Sequence, residues 1–187
     1  MLGAAIRGFS MQKTISRRPA RLAATILLSA ACLTVAHAED VVRTPLPDGN
    51  PFPISAAVTV PAGFDTVYVS GALPTVANKD APKGSVEAYG DMAAQAESAL
   101  SNIKASLAKL GLGMGDVVKM TVFMVADPTK DNKLDFAGLM AGYTKFFGNA
   151  EQPNKPARSA VQVAALVAPG ALVEIEVIAV KPHKGKH

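Results

Sequence analysis

The sequence contains few of the residues that usually carry redox, metal or nucleophilic chemistry. Its single cysteine is Cys32, it has no tryptophan, and its three histidines are His37, His183 and His187. A Ser-His-Asp triad, or a metal site built on histidine or cysteine, would need such residues inside the domain. No glycine-rich phosphate loop follows a predicted strand. We therefore expect no metal site and no nucleotide or other organic cofactor.

The sequence also lacks a long apolar run and a general excess of one charge. The apolar run Leu22–Val35 has 14 residues, which is short of the about 20 that a membrane-spanning helix needs. Five of the 19 basic residues precede Glu39, whereas all 15 acidic residues lie from Glu39 onward. The chain from Glu39 onward is thus nearly neutral, and we expect no nucleic-acid partner.

Residues 1–38 have the organisation of a secretory signal peptide. Three arginines within 17–21 precede the apolar run, and Ala36-His37-Ala38 fits a small-x-small cleavage site. We expect an exported protein, periplasmic or secreted, without a membrane partner once the signal is removed. Three alternatives stay open: a retained membrane anchor, a twin-arginine signal at 16–18 and a lipoprotein signal at 29–32.

The rest of the chain predicts a small α+β domain over residues 54–180, between an irregular, proline-rich lead-in (39–53) and a basic tail (181–187). Apolar periodicity predicts strands at 54–60, 66–73, 117–125 and in two runs within 156–180, and helices at 89–110 and from 131–133 to 148. Short turns predict that the first two strands form a hairpin and that the last two are neighbours. The order is β-β-α-β-α-β-β.

Two helices can cover only one face of such a sheet, which gives a two-layer domain. The opposite face carries valine and alanine residues and needs another cover. Self-association of identical chains would bury that face.

The most informative stretch for function is 156–180, PARSAVQVAALVAPGALVEIEVIAV. Arg158 begins the first of its two strands, and its guanidinium offers a planar fork of donors that matches a carboxylate. Glu174 and Glu176 are two residues apart on the second strand, so both carboxylates lie on one face. We expect these acids within reach of Arg158 and a small carboxylate as ligand.

The same stretch resembles the C-terminal signature of the Rid family, the reactive intermediate deaminases also called YjgF-like. Segments 68–74 (YVSGALP), 116–123 (DVVKMTVF) and 136–147 resemble that family in the same order. The resemblance covers about residues 52–180. It implies a chorismate-mutase-like fold with a mixed sheet, assembled as a homotrimer with a cleft between each pair of subunits.

The resemblance also implies the roles of particular residues. Arg158 would hold the carboxylate of a 2-imino acid, and Glu174 would lie near the water-binding end of the cleft. Ser70 and the backbone carbonyl of Ala160 would contact substrate or the attacking water. The implied reaction is hydrolytic deamination of reactive 2-imino or enamine acids to 2-keto acids and ammonia.

Two positions depart from many active members of that family. Ile54 stands where many have a tyrosine, and Met140 where many have an asparagine. Both changes replace a polar cleft group by an apolar one, and sequence alone does not decide whether they abolish the deaminase activity. The alternative hypothesis is therefore a non-catalytic exported trimer that binds small carboxylates or protects other proteins.

Overall fold

The structure, a computed structural model, describes residues 40–183. The predicted signal peptide and the last four residues of the predicted tail lie outside them. The strands are β1 (Val42–Thr44), β2 (Ala57–Thr59), β3 (Phe64–Ala72), β4 (Val117–Met124), β5 (Ala157–Gln162) and β6 (Val173–Pro182). The helices are α1 (Val86–Tyr89), α2 (Met92–Lys109) and α3 (Phe136–Tyr143). None of these helices combines the length and apolar character needed to cross a bilayer.

The main sheet has four strands in the order β3-β6-β4-β5. The β3–β6 and β6–β4 pairs are antiparallel and the β4–β5 pair is parallel. The parallel pair is possible because α3 connects β4 to β5 over the face of the sheet. The predicted α+β class with a mixed sheet is thus confirmed.

Helices α2 and α3 pack on one face of this sheet, as predicted. The buried apolar residues of α2 recur every three or four positions and form a single stripe: Met92, Ala96, Ala99, Leu100, Ile103 and Leu107. The two helices approach closely at Gly142, where an added Cβ would lie 2.8 Å from the Ala93 carbonyl oxygen. The short side chains at this crossing allow both helices to reach the sheet.

Both predicted pairings between consecutive strands, the first two and the last two, are wrong. β2 pairs with β1 rather than with β3, and β4 lies between β5 and β6. The segment 163–172 connects β5 to β6 across the end of β4. At its start Val163 N–H donates to the Met124 carbonyl, and at its end the Leu172 carbonyl accepts from Val125 N–H. A strand as apolar as β4 is stabilised most in the interior of the sheet, where it has neighbours on both edges.

Several element boundaries also differ from the predictions. The lead-in contains β1 and is not wholly irregular, and β6 extends through Pro182 into the predicted tail. α3 begins at Phe136, after the predicted start, because Asp131 and Asn132 have positive φ angles of 55° and 54°. Asp135 then caps α3 by accepting a hydrogen bond from Gly138 N–H at 2.8 Å.

Arg43 attaches the lead-in to the main sheet. Its guanidinium donates to the carbonyl oxygens of Val117 at 3.0 Å, Lys155 at 2.9 Å and Gly115 at 2.8 Å. These carbonyls lie at the start of β4 and just before β5. Burial lowers the pKa of Arg43, and the nearby Asp116 carboxylate opposes that shift. One side chain therefore satisfies three backbone acceptors and fixes β1 against the domain.

We expect Arg43→Ala to lower the free energy of unfolding by about 2 kcal/mol, because it removes three charge-assisted hydrogen bonds that are only partly shielded from water. Arg43→Lys should recover less than half of the loss, since an ammonium group cannot span three carbonyls. Urea denaturation measures the effect, with the exposed Lys79→Ala as control. A change below about 0.5 kcal/mol for Arg43→Ala, the range of ordinary surface substitutions, would contradict this role.

Candidate functional site

Arg158 lies on the helix side of the sheet in an aromatic surrounding. In the β4–β5 ladder it is opposite Met120, which is fully buried under the helices. Its guanidinium carbon lies 4.3 Å from the ring centroid of Tyr143, and 5.4 Å and 5.8 Å from those of Phe52 and Phe136. Such distances allow cation–π attraction. Three rings from two segments distant in sequence thus surround one cation.

The polar contacts of this cation are weak. Both terminal nitrogens of Arg158 lie 3.4 Å from the Met140 thioether sulfur, a weak acceptor. Among residues 40–183, no acidic side chain forms an ion pair with Arg158. Burial lowers the pKa of the guanidinium, and Tyr143 acts in the opposite direction. Arg158 is thus a half-buried cation without a carboxylate partner among the described residues, which makes it the candidate for contact with an anion.

Tyr143 joins this site to the lead-in. Its ring is fully buried, and its hydroxyl donates to the Pro53 carbonyl at 2.8 Å. Burial raises the pKa of the Tyr143 hydroxyl above its ordinary value, so the phenol stays neutral. The bond to Pro53 holds the neighbouring Phe52 beside α3, where its ring lies 6.2 Å from that of Phe136 with an interplanar angle of 13°.

Two other predicted site residues, Ser70 and Glu174, lie on the open face of the sheet. A hollow of about 460 Å³ on this face is lined by Tyr68, Val69, Ser70, Lys119, Thr121, Glu176, Val177 and Ile178. The Glu174 carboxylate lies directly against Gly71, so that an added Cβ at Gly71 would overlap it. The register between β3 and β6 shifts at this point. The fold therefore brings the Ser70-Gly71 pair and Glu174 together.

Arg158 and Glu174 lie on opposite faces of one sheet. Arg158 is opposite Met120, and Glu174 is opposite Phe123 of the same strand. Side chains alternate along a strand, so positions 120 and 123 point to different faces. Ala160 has the same parity as Arg158 and lies on its face. The expectation that Glu174 is within reach of Arg158 is therefore wrong for a single chain.

The sequence analysis did not include Phe52, Phe136 or Tyr143 among the candidate site residues. Phe136, Met140 and Tyr143 are spaced four and three residues apart, so α3 presents all of them on one side. That spacing, on the helix that precedes the strand begun by Arg158, was the available signal. Phe52 carried no comparable signal. Between residues 40 and 183, no group of three or more His, Cys, Asp or Glu is arranged to hold a metal ion.

The fold and the site define a class of protein: a two-layer α+β domain with a mixed sheet and a half-buried arginine surrounded by aromatic rings. The sequence profile of the family described as Endoribonuclease L-PSP matches residues 50–181. The chain belongs to this family, the one in which Rid, RutC and YjgF proteins are found.

Two relatives carry names that state an activity. The 2-iminobutanoate/2-iminopropanoate deaminase of Escherichia coli K12 is 44% identical over 95 residues, which are 51% of this chain and 68% of that protein. The 3-aminoacrylate deaminase RutC of Acinetobacter baylyi is 34% identical over 134 residues, which are 72% of this chain and 94% of that protein.

The solved structure of a Rid-family protein of unknown function from Yersinia pestis has a TM-score of 0.57 and 25% identity. The match covers 78% of this chain and all of that protein. The resemblance to the Rid family and the predicted α+β fold class are thereby confirmed.

Proposed function

We propose that this protein hydrolyses reactive 2-imino or enamine acids to 2-keto acids and ammonia. The observation that carries the proposal is the Arg158 guanidinium, which has three aromatic neighbours and a weak sulfur acceptor but no carboxylate partner among residues 40–183. The deaminases to which the chain is similar support the reaction class.

In this mechanism the substrate carboxylate accepts hydrogen bonds from the two terminal nitrogens of Arg158 and displaces the Met140 sulfur. This contact fixes the imine carbon relative to the protein. Water adds to that carbon, with its oxygen forming the new bond while a proton passes to the imine nitrogen. In the resulting carbinolamine the hydroxyl proton is transferred to the amine nitrogen as the carbon–nitrogen bond breaks, which gives the keto acid and ammonia. The imine is already electrophilic, so positioning of the water is the main task of the site.

The site is completed by a second copy of the chain. Because Arg158 and Glu174 lie on opposite faces of one sheet, they can serve the same ligand only if Glu174 comes from a neighbouring copy. The open face offers the required surface, since Tyr68 is 78% exposed in the single chain. A closed homotrimer with three such clefts is the assembly we propose. Glu174 and Ser70 of one copy then face Arg158 and the Ala160 carbonyl of the next.

The predicted signal peptide would place this activity in the periplasm or outside the cell. Ile54 and Met140 stand where many active members of the family have polar groups, and this favours a second candidate function, in which the protein binds small carboxylates without turnover. Both functions need the Arg158 site, and they differ only in whether water is added.

The experiment that tests the proposal generates 2-iminopropanoate in situ with an amino-acid oxidase and follows the release of ammonia and keto acid. We expect the purified protein to accelerate release well above the rate in buffer. A rate equal to that in buffer, together with binding of pyruvate that Arg158→Ala abolishes, would contradict hydrolysis and support the binding function.

A further inference from the structure

The surroundings of Arg158 are unusually apolar for a site that holds a small polar acid. Among the described residues, the Met140 sulfur is the one acceptor that hydrogen-bonds the guanidinium. The other neighbours are the rings of Phe52, Phe136 and Tyr143. Ile54, which packs against the hydrophobic core, adds no polar group. A substrate that binds here can pair its carboxylate with Arg158, while the aromatic rings and the Met140 thioether offer its side chain apolar contacts.

We propose that the site selects 2-imino acids with a bulky, flat apolar side chain over those with a small one, and that Met140 determines this specificity. The inference rests on the proposed function and names its substrate class. Met140 is flexible and polarizable, so its thioether can leave the guanidinium when a carboxylate arrives. The Met140 side chain then packs on the apolar part of the same ligand, because Met140 lies next to Arg158.

The aromatic pair provides the second contact for such a side chain. The rings of Phe52 and Phe136 are nearly parallel and lie 6.2 Å apart. Phe136 begins α3 and keeps 38% of its surface exposed, so part of its ring is free to receive a ligand. Aromatic groups gain from offset or edge-to-face contacts with such rings and with a methionine sulfur. An aromatic side chain therefore gains contacts that a methyl group cannot make.

The first test compares imines made in situ from phenylalanine and from alanine. We expect kcat/KM to favour the phenylalanine-derived imine by about tenfold or more, the usual range for added apolar contact in a pocket. Met140→Leu, which keeps an apolar side chain of similar size but removes the sulfur, should retain the preference. Met140→Asn, which introduces an amide beside the guanidinium, should reduce it to about threefold or less.

The second test does not depend on turnover. Calorimetry measures the binding of phenylpyruvate and pyruvate, which are not imines, to the wild type, Met140→Asn and Arg158→Ala. We expect phenylpyruvate to bind about tenfold more tightly than pyruvate to the wild type, with both lost in Arg158→Ala.

These results separate the inference from the proposed function. Tight, Arg158-dependent binding of phenylpyruvate without hydrolysis of any imine would overturn the deaminase activity and leave the selectivity standing. Equal affinities, tighter pyruvate or no binding of either acid would overturn the selectivity. If Met140→Asn keeps the full preference for the aromatic acid, the role of Met140 in the selectivity is also overturned.

Discussion

Replacing Arg158 by alanine is expected to lower kcat/KM for 2-imino acid hydrolysis by about a thousandfold, because it removes a bidentate, charge-assisted anchor and the alignment that follows from it. Arg158→Lys keeps the charge but not the planar fork, and we expect it to lose about thirtyfold or more. The measurement is steady-state release of keto acid from an imine generated in situ.

The control for this loss is folding stability. Arg158 makes one weak sulfur contact and three ring contacts but no ion pair among residues 40–183. Its removal should therefore change the free energy of unfolding by no more than about 1 kcal/mol. Lys79→Ala, at an exposed position outside the site, should leave the rate unchanged. If Arg158→Ala were active to within a factor of three at normal stability, the assigned role would be wrong.

The largest expected effect on stability comes from Gln95, a fully buried polar residue of α2. Its amide nitrogen donates to the carbonyls of Gly90 at 2.8 Å and Gly170 at 3.2 Å, and its oxygen accepts from Leu172 N–H at 2.7 Å. Gln95→Met has nearly the same shape but leaves one buried backbone N–H and two partly buried carbonyls without this partner. We expect a loss of about 4 kcal/mol, since each unsatisfied group costs about 1–3 kcal/mol.

This network fixes the turn that leads into β6. Gly170 has a positive φ of 82°, and an added Cβ would collide with the Ser85 carbonyl, so the turn has little freedom to find other partners. The midpoint of urea denaturation measures the loss. Ser101→Met, on the exposed side of α2, is the matched control and should stay within about 0.5 kcal/mol of the wild type. A loss below about 1 kcal/mol for Gln95→Met would show that water replaces the amide.

The layers of the fold were predictable because the spacing of apolar residues along a helix or strand follows which side chains are buried. The buried stripe of α2 follows helical spacing, and the β4 residues Met120, Val122 and Met124 alternate with partly exposed ones. Both patterns are local in sequence and survive in the structure almost unchanged. Arg158 was likewise recognisable as a candidate, since its motif and its position at a strand start can be read without knowledge of the fold.

The strand pairings and the surroundings of Arg158 could not be predicted, because they depend on contacts between distant segments. The apolar composition of β4 favours an interior position, but no local signal shows that its neighbours are β5 and β6. Nor does one show that Arg43 binds three carbonyls far along the chain. Phe52 lies in a proline-rich segment that predicts irregular structure, yet Tyr143 holds this segment beside the site. Gln95 resembles any polar residue of an exposed helix face until its three partners are known.

The central claim is that Arg158 of one copy and Glu174 of another form a single site. The most direct measurement mixes Arg158→Ala with Glu174→Gln, each expected to be inactive alone, by unfolding and refolding them together in equal amounts. In a closed ring, about a quarter of the clefts then combine an intact arginine with an intact glutamate, so about a quarter of wild-type activity should return. A mixture as inactive as its components, or full activity of Glu174→Gln alone, would contradict the claim.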